Sequence, residues 1–73
     1  MSKIAIIGAS RTPMGGFQGA FDGVSAATLG GAAIKGALDQ SNVDTASVQE
    51  LLMGCVLPAG QGQAPARQAG FLA

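Results

Sequence analysis

The chain opens on a continuous apolar run, Ile4-Ala5-Ile6-Ile7, that breaks at Gly8. A β-branched run without alternating polar positions predicts a strand covered on both faces, as in parallel sheets. From Ala9 to Gly23 the pattern dissolves into turn formers, with Pro13, Gly15, Gly16, Gly19 and Gly23. That stretch predicts a loop. Strand-to-helix connections usually take about 2–6 residues, so a loop of this length points to a functional or interfacial role. Its large apolar residues, Met14, Phe17 and Phe21, are expected to act as core or interface anchors.

Ser25 is placed to N-cap a helix over 26–40. Polar Thr28, Lys35 and Asp39 share one narrow stripe of that helix, and nearly every other position is small or apolar. Gly30, Gly31 and Gly36 each cost about 1 kcal/mol relative to Ala in a helix interior. A helix that accepts this cost is expected to pack closely on a sheet or another backbone. A polar connection over 41–47 follows. Leu51-Leu52-Met53-Gly54-Cys55-Val56-Leu57 then reads as a second buried strand, ended by Pro58. Ala59-Gly60-Gln61-Gly62 predicts a turn, and Pro65 suits the first turn of a helix continuing to Ala73. The order strand-helix-strand-helix makes an α/β unit, a parallel pair joined by a right-handed crossover. Such a unit normally has further strands beside it. The last residues are apolar and carry no stop signal, so a continuation is expected.

Composition narrows the function classes. A chain of 73 residues hides a smaller fraction of its surface than a full domain does. One cysteine and no histidine exclude an internal disulfide and disfavour a structural zinc site, so either partner surface or further sequence is expected to complete the core. Lys3, Arg11, Lys35 and Arg67 balance Asp22, Asp39, Asp44 and Glu50, which leaves no basic patch for nucleic acid. No segment approaches the roughly 18–20 apolar residues of a membrane span, and the first apolar run is too short for a secretory signal. A cytoplasmic protein is the simplest expectation.

Candidate chemistry is sparse. Ile6-Ile7-Gly8-Ala9-Ser10-Arg11 resembles the entry to a dinucleotide-binding fold, but Ser10 and Pro13 stand where the glycine fingerprint requires glycine. Cys55 lies in an apolar run with no histidine anywhere to activate it, so it is expected to be a small packing residue rather than a nucleophile. Ser10 and Ser25 lack a nucleophile-elbow context. The four carboxylates are scattered. Arg11 and Arg67 each stand beside a turn in an otherwise neutral chain, and a structural or interface role is expected for both.

Three stretches together carry a family resemblance. Ala9-Ser10-Arg11-Thr12-Pro13-Met14-Gly15-Gly16-Phe17-Gln18-Gly19-Ala20 looks like the loop after the first strand of thiolases. The run from Leu29 to Leu38 is similar to their first helix. Met53-Gly54-Cys55-Val56-Leu57-Pro58-Ala59-Gly60-Gln61-Gly62-Gln63-Ala64-Pro65-Ala66-Arg67-Gln68-Ala69 resembles their second strand and following helix. The stretches cover nearly the whole chain in the right order, and the last is the most specific. Cys55 stands where many members carry Asn or Gln, in keeping with a packing role, and Gly70-Phe71 departs from their Ala-rich continuation.

The resemblance implies a layered α-β-α-β-α fold built from two similar halves, with residues 1–73 the start of an incomplete N-terminal domain. It implies a coenzyme A-dependent acyltransferase that condenses two acetyl-CoA to acetoacetyl-CoA or runs the thiolytic cleavage. The coenzyme A thioester is then a substrate, not a bound cofactor. The family's nucleophilic cysteine lies in a later segment, within a pattern Asn-x-x-Cys-(Gly/Ala)-Ser-Gly, and its histidine and second cysteine lie later still. No catalytic, cofactor-binding or metal residue therefore maps onto this chain, which alone is expected to be inactive. Thiolases assemble as homodimers or homotetramers, which makes Arg11, Gln63 and Arg67 candidate interface residues. Two other readings stay open, a nucleotide-binding half-domain and a non-catalytic interaction remnant.

Overall fold

The computed structural model describes residues 3–55 and 59–73. Its regular elements are α1 (Ala26–Ser41), a short 3-10 turn (Thr45–Ser47) and α2 (Pro65–Leu72). Helix α1 starts where expected because the extended Ser25 turns its hydroxyl onto the Thr28 N–H, 3.1 Å away. The same oxygen shares a hydrogen bond with the Thr28 hydroxyl at 2.8 Å. One orphan donor of the first turn is thus satisfied. At the far end Asn42 adopts φ 58°, and its N–H reaches the Asp39 and Leu38 carbonyls. Asn tolerates this left-handed geometry better than most residues, so it closes the helix where glycine often does. Asp44 then caps the 3-10 turn, its Oδ1 accepting from the Ala46 N–H at 3.2 Å.

The helix glycines do what their cost implies. A Cβ on Gly31 would sit 2.9 Å from Leu72 Cβ and 3.2 Å from the Ala69 carbonyl oxygen. One on Gly30 would sit 3.1 Å from Ala69 Cβ and 3.0 Å from Met53 Cε. The two helices therefore meet backbone to backbone along a small-residue seam, with Ala69 fully buried at its centre and Ala27 beside it. On another part of α1, Ser10 packs on Gly36, and a Cβ on Gly8 would meet the Ala37 carbonyl oxygen at 2.7 Å. The Ala9 N–H donates to Gln40 Oε1 at 2.7 Å, which ties the first loop to the end of α1.

The two expected strands are not formed. Among the described residues there is no strand, and the runs over 4–7 and 51–55 are irregular. The remaining strand positions, Val56 and Leu57, and the terminating Pro58 lie outside the described residues. Ile4 and Ile6 are 98% and 91% exposed, opposite to the expected two-sided burial. The physical reason is pairing. A strand gains its ladder bonds only from a neighbour, and an isolated two-stranded unit is marginal in water. Of the expected core or interface anchors, Met14 and Phe17 stand exposed in this chain and so lie outside its core, while Phe21 is half-buried with its ring against Gly15.

Surface area measures the deficit. The chain presents 6190 Å². A folded monomer of its mass would present about 4,100 Å² by the usual scaling. No helix is long and apolar enough to cross a membrane among the described residues.

Candidate functional site

The most organised irregular segment is the turn before α2. Gly60 and Gly62 both take φ 78°, and Ala64 takes φ 48°. Glycine adopts that region freely, whereas Ala64 is strained there by about 1–2 kcal/mol. Pro65 then occupies the first helical position, but no side chain caps the α2 N-terminus. The turn is held from the helix instead. Gln68 Nε2 donates to the Gln61 carbonyl at 3.0 Å and to the Gln63 carbonyl at 2.8 Å.

Arg67 sits one residue before this glutamine. Its guanidinium carbon lies 4.4 Å from the centroid of the Phe71 ring, one helical turn on. An exposed cation–π contact of this kind contributes about 0.5–1 kcal/mol. Gln63 and Arg67 are both exposed and belong to one turn-and-helix unit. Arg11 is exposed as well, but on the first loop, a separate segment. The structure thus joins two of the three residues singled out in the sequence.

Cys55 corrects an expectation. It is exposed rather than packed, and its Sγ lies 3.8 Å from Gln61 Oε1. The run over 51–55 has no sheet to enter, so its thiol borders an open cleft of about 510 Å³ together with Met53, Ala27 and Pro65. That cleft has one thiol and one carboxamide. The sequence has no histidine, and among the described residues lining the cleft there is no carboxylate or amine beside the thiol. Among the described residues no three His, Cys, Asp or Glu side chains gather as metal ligands would.

Reading the sequence missed the two glutamines that do the holding, Gln40 and Gln68. The glycine spacing at Gly60 and Gly62 signalled left-handed turns, but nothing local signalled which distant side chain would reach them.

Comparison with known proteins places this turn and helix in a wider setting. Residues 4–73 match the family model of the thiolase N-terminal domain. The chain is 54% identical over 68 residues to acetyl-CoA acetyltransferase 2 of Arabidopsis thaliana, covering 93% of this chain and 17% of that protein. It is 50% identical over 71 residues to the acetyl-CoA acetyltransferase of Rhizobium meliloti, covering 97% of this chain and 18% of the other. A mitochondrial acetyl-CoA acetyltransferase of Danio rerio is 46% identical over 69 residues, with 94% and 16% covered. The chain therefore spans less than a fifth of the length of these curated relatives. With a family match reaching from Ile4 to Ala73, this chain belongs to the thiolase family.

Proposed function

We propose that this chain is the N-terminal part of a thiolase-type, coenzyme A-dependent acyltransferase, which condenses two acetyl-CoA to acetoacetyl-CoA and cleaves in the reverse direction. The single observation that carries the reading is the match over 4–73 to the thiolase N-terminal domain, joined by relatives that bear the name acetyl-CoA acetyltransferase. In the condensation an enzyme thiolate accepts an acetyl group, and a second acetyl thioester then loses a proton and attacks it. Both steps need a cysteine nucleophile, an acid–base partner and donors for developing negative charge. The chain has no histidine, and its one cysteine faces the carboxamide of Gln61, so we assign that machinery to the rest of the enzyme and no activity to this chain alone.

In this reading residues 1–73 begin the N-terminal domain of a layered α-β-α-β-α fold. The exposed runs over 4–7 and 51–55 become strands once neighbouring strands supply their ladders. Exposure of Ile4, Ile6 and Leu52 supports that role, because covering such side chains stabilises by about 1.5–3 kcal/mol each. The enzyme is a homodimer or homotetramer, with Arg11, Gln63 and Arg67 at the contact between copies. Their exposure and the preset turn under Gln63 support this placement. The setting is cytoplasmic, and the partners are acyl-CoA substrates rather than nucleic acid or membrane.

The test is a hybrid enzyme. This chain replaces the matching segment of the Rhizobium meliloti relative, and thiolysis of acetoacetyl-CoA is followed by loss of the enolate absorbance. Turnover by the hybrid and none by the 73-residue chain is the expected pair of results. A hybrid that folds and assembles yet shows no thiolysis counts against the reading, as does turnover by the chain alone.

A further inference from the structure

The turn before α2 combines three left-handed residues, Gly60, Gly62 and Ala64, with a helix that lacks a side-chain N-cap. A side chain from the helix, four residues beyond Ala64, is hydrogen-bonded to the backbone of the turn. Gln68 Nε2 lies 3.0 Å from the Gln61 carbonyl oxygen and 2.8 Å from that of Gln63. Carbonyl oxygens only accept, so the carboxamide nitrogen, with its two hydrogens, must be the end that faces them. The same nitrogen lies 3.2 Å from where a Cβ on Gly62 would sit, so the turn wraps closely around it.

We infer that Gln68 is a positioning residue whose two amide hydrogens lock the 59–64 turn and so set how the chain enters α2. The inference goes beyond the proposed acyltransferase role and does not depend on it. Two carbonyls brought to converge repel one another unless a donor stands between them. The clamp therefore needs a nitrogen donor at this point, and size or helix propensity alone does not suffice. Gln68→Met keeps the length and removes the donor. Gln68→Glu keeps the shape and offers only acceptors to the two carbonyls. Gln68→Lys restores a multiple donor on an unbranched stem.

The experiment is NMR on the isotope-labelled 73-residue chain. In the wild type, the Gln68 side-chain amide is expected to show contacts to the Gly62 α-protons and to exchange roughly tenfold more slowly than free glutamine, the size of one to two net hydrogen bonds. Gly62 and Ala64 resonances are expected to fall to random-coil positions in the Met and Glu variants and to stay near wild type in the Lys variant. The inference is overturned if the wild-type amide exchanges like free glutamine. It is overturned equally if Met or Glu leaves the turn resonances in place, or if Lys collapses the turn as Met does.

Discussion

The Ala69 carbonyl oxygen lies 3.2 Å from the point where a Cβ on Gly31 would stand, so the two helices touch where neither has a side chain to spare. Gly31 is buried, and the Leu72 Cβ closes the same space from 2.9 Å. Gly31→Ala gains about 1 kcal/mol of helix propensity but must push α2 away. Overpacking of this kind costs about 1–3 kcal/mol, so the net change is a loss. Denaturant unfolding followed by circular dichroism should report it. Gly54→Ala is the control, because a Cβ there meets nothing within 4 Å. A Gly31→Ala chain as stable as wild type would remove the seam from this account.

Ser25 should matter more than an exposed serine usually does. Its hydroxyl takes the Thr28 N–H and pairs with the Thr28 hydroxyl. Ser25→Ala is expected to cost about 1 kcal/mol, while Ser25→Asp, another good N-cap, should cost much less. Helical signal against temperature separates the two, and equal losses would argue against capping.

Asn42 closes α1 at φ 58°. Replacing it with Val should destabilise by about 1–2 kcal/mol, because a β-branched side chain clashes in left-handed backbone, whereas Gly should match or exceed the wild type. If the Val and Gly chains unfold at the same denaturant concentration, the left-handed cap is not what ends the helix.

Cys55 provides a direct probe of cover. The thiol is exposed in this chain, so a maleimide reagent should label it fully without denaturant. In the hybrid enzyme, where the run over 51–55 is proposed to become a strand, labelling should slow markedly. Equal labelling rates in chain and hybrid would mean that the run stays open in both.

How much of this was legible in advance divides along the range of the interactions. The Ser25 cap, the span of α1 and the Pro65 start of α2 depend on residues within a turn of one another, so their signals are local. The glycines of α1 announced close packing, and the partner proved to be α2 for Gly30 and Gly31 and Ser10 of the first loop for Gly36. The strands were read from a pattern that describes a covered, paired segment, and pairing belongs to the neighbour as much as to the run. Cys55 was misread with them, since its burial was inferred from that same cover. Of the candidate interface residues, Gln63 and Arg67 fell together because they are four apart on one turn and helix, and Arg11 did not. Gln68 escaped because a glutamine inside a helix looks the same whether it faces water or reaches back to hold a turn.

The uncovered run over 4–7 has a consequence for association between copies. It is an apolar stretch without a ladder partner among the described residues, the kind that templates aggregation between chains. Lys3 and Arg11 bracket it on either side, and like charges so placed repel a second copy arriving in register. Two of the four cations in the chain thus guard a stretch that has not found its neighbours.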